Sequence, residues 1–178
     1  MSRRSLVDIC VNLTDKVFLG NEETIIDEAK KNNVTKMVLV GNDLESSKSV
    51  VRLAEKFDFV ATAGYHPHNA KDWNLSSYSE LLSLLNNERV KAVGECGLDF
   101  NRNFSTPEVQ HTVFMNHISL AKEKKLPLFV HERDAFHQMH NILKNNIEDC
   151  KNIVVHCFTG TKNALIDYLD LGVYIGLT

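Results

Sequence analysis

The sequence predicts an α/β fold, a TIM-type (β/α)8 barrel that stops after its seventh strand. Four observations lead there. Short β-rich runs alternate with longer segments of helical period along all 178 residues, which means parallel strands joined by right-handed crossovers. Polar residues gather at the C-terminal ends of those runs, as a ring of barrel strands requires. No G-x-G-x-x-G follows the first run to mark the single switch point of an open sheet. Finally, seven strands and six helices fall short of the roughly 250 residues of a complete barrel, so the last two helices and the eighth strand are expected to be absent.

Taken in order, "SLVDICV" at 5–11 is the first strand and a helical period over 21–33 follows it. "KMVLVG" at 36–41 leads to the polar Asn42, then a helix at 44–57. "FVATAGYH" at 59–66 runs into "YHPH", with His66 and His68, before a helix at 75–87. "VKAVGE" at 90–95 ends on Glu95, and the helix at 107–125 is announced by Thr106 as N-cap with Pro107 at the first helical position. "PLFVHE" at 127–132 carries His131, and the helix at 134–146 has Asp134 placed before Ala135 as a cap. "NIVVHC" at 152–157 carries His156, Thr161 opens the helix at 161–170, and "VYIGLT" at 173–178 is the seventh strand. No Pro/Gly/Ser-rich linker divides the chain, so residues 1–178 read as a single domain, incomplete at its C-terminus.

Composition narrows the function classes. With 43% hydrophobic residues the chain can bury one sizeable core. A formal net charge of −3 provides no basic field, so contact with nucleic acid has to come from a local patch or a bound cation. The four cysteines, Cys10, Cys96, Cys150 and Cys157, include no C-x-x-C pair, which fits reduced thiols better than a disulfide or zinc-finger framework. At the N-terminus two arginines precede an apolar stretch, but Asp8, Asn12 and Asp15 break it before a signal-peptide core forms. No run reaches the roughly 18 apolar residues of a membrane span. The expected compartment is the cytoplasm, or the nucleus as well in a eukaryote, and no membrane partner is expected.

Chemistry concentrates on three strand ends. Glu95 closes "AVGE", His131 closes "LFVH" and His156 closes "IVVH", each the polar end of an otherwise apolar strand. A lone histidine at such a position is ordinarily just hydrogen-bonded there. One carboxylate and two imidazoles on three consecutive barrel strands can instead meet, leaving a solvent side open for water or substrate. These three are the predicted metal ligands. A hard ion such as Mg2+ suits the carboxylate, while two imidazoles lean toward Mn2+ or Zn2+, and such an ion can activate water for hydrolysis. His66, in the stiff turn of "GYHPH", and Arg133, directly after His131, are the candidates for contact with phosphate. Asp99, Asn101 and Arg102 read as the loop after Glu95, either a polar rim to a substrate or a solvated loop. His111, His117, His137 and His140 are assigned to exposed helix faces, and Cys96 and Cys157 to packing, since strand alternation turns them away from the neighbouring ligands.

Together, "DICVNLTD", "TAGYHPH", "GECGLDFNRNFSTPE", "VHERDA" and "VVHCFTGT" resemble, in order and from Val7 to Thr178, the TatD family of metal-dependent deoxyribonucleases in the amidohydrolase-like superfamily. The resemblance implies a TIM-type barrel, a divalent metal cofactor (Mg2+ first, then Mn2+ or Zn2+) and phosphodiester hydrolysis. For the nearest members it implies 3′-5′ exonuclease action on single-stranded DNA or RNA, by a monomer, in DNA repair or DNA breakdown. It places the family's ligands on Glu95, His131 and His156. Two departures stand out. Many members carry an H-x-H metal pair at the end of strand one, where this chain has Cys10 and Asn12. The family's strand-eight aspartate is expected beyond Thr178, so no catalytic residue is assigned and weak or no catalysis is expected of these 178 residues. The alternatives are a catalytically impaired truncated product, and an amide or ester hydrolase of the same superfamily, against which Glu95 and Asn12 count.

Overall fold

The structure, a computed structural model, describes residues 5–150 and 152–177. The two N-terminal arginines and Thr178, the predicted end of the seventh strand, lie outside the described residues. Among the described residues seven strands, β1 (Leu6–Val11), β2 (Val34–Val40), β3 (Val60–Ala63), β4 (Val90–Asp99), β5 (Leu128–Arg133), β6 (Ile153–Val155) and β7 (Tyr174–Ile175), pair in chain order, every pair parallel. Among the described residues six α-helices alternate with them: α1 (Glu22–Lys31), α2 (Leu44–Phe57), α3 (Ser77–Leu84), α4 (Pro107–Lys124), α5 (Phe136–Asn146) and α6 (Lys162–Asp170). This is the α/β architecture of a TIM-type barrel up to its seventh strand.

The sheet curls far enough for its two ends to approach. A Cβ added to Gly176, just after β7, would lie 3.4 Å from Ile9 Cδ1 on β1. β1 and β7 do not pair among the described residues, and a cavity of about 460 Å3 lies between them, lined by Val7, Ile9, Cys10, His156, Cys157 and Gly176 among others. The apolar strand residues Leu39, Ala61, Val93, Leu128, Val130 and Val155 are wholly buried, so the core runs along the sheet from β2 to β6. None of the helices among the described residues is long and apolar enough to cross a membrane.

Three of the six α-helices among the described residues, α2, α4 and α6, start on a side-chain cap. Thr106 accepts the Val109 N–H with Pro107 at the first helical position, and Thr161 accepts the Ala164 N–H. Asp134 does not cap α5: its backbone is left-handed at φ 53°, and its carboxylate accepts from the Asn101 side chain at 2.8 Å. The start of α5 is held from β5 instead, where Glu132 Oε1 accepts the Ala135 N–H at 2.9 Å. A 3-10 helix over Pro67–Asp72 extends what reads in sequence as a turn.

His117 corrects the assignment of helix histidines to exposed faces, because it is fully buried. α4 packs on both β4 and the 3-10 helix, so two of its sides are covered. The ring is satisfied at both nitrogens: Nδ1 donates to the Val113 carbonyl at 2.7 Å and Nε2 accepts the Tyr65 N–H at 2.9 Å. Burial pushes the imidazole down to about 4, against the opposing pull of that carbonyl. The folded ring therefore stays neutral where the unfolded one, with a pKa of about 6.5, takes up a proton. Stability from this site is complete above about pH 6.5 and is lost as pH falls toward about 4, by up to about 3 kcal/mol. Urea unfolding across that interval should show a shallower loss in His117→Gln than in the parent chain, and equal slopes would contradict the assignment.

Candidate metal centre

β4 sits between β3 and β5 and is buried from Val93 to Asp99. Its pairing with β5 carries an irregularity: Val93 pairs with Leu128 but Cys96 with Val130, so three steps on β4 oppose two on β5. Such a bulge re-aims the side chain within it, and that side chain is Glu95. The flanking glycines make it sterically feasible. Gly94 and Gly97 have φ of 124° and 138°, and a Cβ on either would lie 2.1 Å from the Phe129 carbonyl oxygen or 2.0 Å from the His131 carbonyl oxygen. Only glycine adopts such a conformation against a backbone that close.

Around the buried Glu95 the histidines converge on a single carboxylate oxygen. His156 Nε2 from the end of β6 donates a short hydrogen bond to Oε1, His131 Nδ1 from β5 lies 3.3 Å from it, and His66 Nε2 lies 3.6 Å away. Burial alone would raise the Glu95 carboxyl. Hydrogen bonds from His131 and His156 and the nearby imidazoles outweigh burial and hold it well below the usual carboxylate range. For His131 burial pulls the imidazole down, but Glu95 and then Asp99 overcome it, so its pKa rises. Burial pushes His66 down to about 3, so this ring is neutral.

Hydrogen bonds behind the ring fix tautomers. His131 Nε2 donates to Asp99 Oδ2 at 3.2 Å, which turns Nδ1 toward Glu95. A carboxylate holding the far nitrogen of a histidine is the usual arrangement behind a metal-ligating imidazole. Asp99 also accepts from His68 Nε2 at 2.6 Å and from the backbone N–H groups of Asn101 and Arg102 at 3.0 and 2.9 Å. His66 Nδ1 accepts the His68 N–H at 3.1 Å, so the neutral ring carries its proton on Nε2, facing Glu95. His156 Nδ1 is buried with no hydrogen-bond partner among the described residues.

The three predicted ligands thus lie together, with both histidines against Glu95, and His66 joins them. Among the described residues, ligand atoms close enough to share one ion form two sets, His66 with Glu95 and His131, and Cys10 with Glu95 and His156, so the predicted trio straddles both. Arg133 is not drawn in. Its guanidinium is exposed and makes no hydrogen bond or ion pair among the described residues. Asp99 is not the loop residue that the sequence predicts but the last residue of β4, only 2% exposed. The signal was present, since Glu95, Gly97 and Asp99 fall on one face of a strand with period two. Cys10, half-buried, comes from β1, and burial pushes its thiol up to about 12, with Glu95 adding to the effect.

With this geometry in view, the sequence matches the family model described as "TatD related DNase" over residues 7–178. The chain belongs to the TatD family. Among curated relatives it is 38% identical over 174 residues to the protein named 3′-5′ ssDNA/RNA exonuclease TatD from Klebsiella pneumoniae, covering 97% of this chain and 66% of that one. To the protein of the same name from Edwardsiella piscicida it is 41% identical over 175 residues, covering 97% and 67%. The chain therefore spans about two thirds of the length of these TatD relatives. In structure it resembles a TatD-family hydrolase from Entamoeba histolytica, with a TM-score of 0.90 at 27% identity over 98% of this chain and 65% of the other. YjjV, a TatD homologue of Escherichia coli K12, superposes with a TM-score of 0.87 at 28% identity over 96% and 66%.

Proposed function

We propose that Glu95, His131 and His156 hold a divalent metal ion, and that the protein uses it to hydrolyse phosphodiester bonds of single-stranded DNA or RNA from the 3′ end. The observation that carries this reading is the convergence of two imidazole nitrogens on Glu95 Oε1, with Asp99 fixing His131 from behind. The donor set fits a cation. His131 Nδ1 lies 3.3 Å from Glu95 Oε1, a separation two ligands of one ion can have, and His156 Nδ1 is buried without a partner among the described residues. Mg2+ is the ion of this reading, with Mn2+ and Zn2+ the alternatives that two imidazoles favour.

A bound divalent ion supplies Lewis acidity and brings the pKa of water toward neutrality. The chain's own residues do the remaining work. Glu95 neutralises part of the ion's charge from a site closed to bulk water, where the attraction is strong. Asp99 holds the His131 proton on Nε2 and so keeps Nδ1 aimed inward. His66, neutral with its proton on Nε2, is a hydrogen-bond donor for a phosphate oxygen. Arg133, exposed with no competing ion pair, supplies a guanidinium to the incoming phosphate backbone. The proposed compartment is the cytoplasm.

A second reading has its own support: the Arg133 guanidinium, meant for the phosphate, is exposed and makes no hydrogen bond or ion pair with the centre among the described residues. On that reading the chain binds ion and nucleic acid without turnover. A single-stranded oligodeoxynucleotide labelled at its 5′ end separates the two. The nuclease reading expects progressive shortening from the 3′ end, lost with EDTA and restored by Mg2+ or Mn2+. Ion and oligonucleotide binding with no shortening supports the second reading, and turnover of a cyclic amide in place of DNA would overturn both.

A further inference from the structure

Glu95 stands between two differently built halves of the polar ring. On the β3 and β5 side lie His66 and His131, backed by Asp99, with only nitrogen and oxygen donors. On the β1 and β6 side lie Cys10 and His156, where the sulfur of Cys10, a Glu95 oxygen and a His156 nitrogen all fall within 4.8 Å of one another. From these residues we infer that Cys10, Glu95 and His156 form a binding site for a thiophilic divalent cation of the zinc class. The assignment does not rest on the nuclease reading.

Ligand chemistry sets the class. One thiolate, one imidazole and one carboxylate match zinc's usual donors, with bond lengths near 2.3 Å to sulfur and about 2.0 Å to nitrogen or oxygen. Mg2+ takes oxygen donors and has no use for a thiolate. Two further observations point to a ligand here. His156 is 8% exposed, its Nδ1 meets no hydrogen-bond partner among the described residues, and its Nε2 faces Glu95 Oε1, so an ion bound at Nε2 would take the place of the proton shared there. The ring is also held in place: it stacks on Phe129 with centroids 4.8 Å apart. Cys10 and His156 both line a cavity of about 460 Å3, on the side of the His156 ring away from Phe129. An ion entering there leaves a fourth position facing the cavity, open to water or an exogenous ligand. On binding, the Cys10 thiol gives its proton to solvent and the sulfur bonds the ion as thiolate.

Cobalt(II) reads the sulfur bond directly. Titrating the reduced protein with Co2+ should produce a near-ultraviolet thiolate-to-cobalt charge-transfer band that saturates at one equivalent, is displaced by Zn2+ and is unmoved by excess Mg2+. Cys10→Ser should remove the band while Cys157→Ser keeps it, and far-ultraviolet circular dichroism of each variant checks its fold. Should Cys10→Ser fail to fold, Cys10→Ala and the response of the parent chain to Cd2+ provide the same reading. Co2+ binding with no charge-transfer band overturns the site, as does a band that survives in Cys10→Ser or disappears in Cys157→Ser. The band is blind to hydrolysis, so it can appear in a protein that cleaves nothing, and DNA cleavage can persist without it. Failure of this site and failure of the nuclease reading are therefore separate results.

Discussion

Glu95→Ala is expected to lower affinity for Mn2+ by at least two orders of magnitude, about 3 kcal/mol or more, and to abolish any metal-dependent cleavage. Glu95 is the carboxylate common to both potential ligand sets, and His66, His131 and His156 all approach its Oε1. Without it, neutral imidazoles alone would have to compensate a divalent charge in a site where Glu95 itself is only 6% exposed. That is a poor trade for a hard ion, which prefers oxygen. The metal-free protein should respond as well. A carboxyl held well below its ordinary range stabilises the fold above the unfolded pKa of about 4.3, and that contribution disappears as pH falls through the folded value. Acid unfolding of Glu95→Ala should accordingly be less steep in its lower range. Calorimetric titration with Mn2+ checks the first part, and affinity within a few-fold of the parent chain would mean the ion binds elsewhere.

Much of this was legible in the sequence because strands and ligands share one rule. An apolar run ending in a single polar residue gave β4, β5 and β6 together with Glu95, His131 and His156, since a barrel strand buries its length and exposes its end to the site. The misses trace to local signals that mean two things. Gly97 reads as a chain break, which sent Asp99 into a loop. In the structure that glycine lets β4 pass the His131 carbonyl and continue two residues further. Asp134 sits where a cap belongs, yet Glu132, reaching from the strand before it, holds the first turn of α5. His117 lies on a helix covered on two sides, and periodicity reports one buried face rather than two. Cys10 was read as the absence of a histidine, and its distance to Glu95 and His156 depends on how far the sheet curls, which no local pattern encodes.

Asp99→Asn tests whether the centre depends on what stands behind it. The Asp99 carboxylate works as an acceptor on both oxygens: Oδ2 takes the Nε2 protons of His68 and His131, and Oδ1 takes the N–H groups of Asn101 and Arg102. An asparagine has one acceptor and one donor, so its amide must point N–H groups either at two imidazole N–H groups or at two backbone N–H groups. Either choice frees His131 to rotate and removes the partner that fixes its tautomer. The cost in metal affinity should be about 10- to 100-fold, the usual effect of removing such a partner. A change that only loosened packing could produce the same loss, so the pH profile is the discriminating readout. Asp99 helps raise the His131 pKa, and protons compete with the ion for Nδ1. In Asp99→Asn the maximal affinity should therefore be lower, while the pH at which protons displace the ion also moves down. A variant that loses affinity with its pH midpoint unchanged would show that Asp99 braces the loop after β4 and does not set the chemistry of His131.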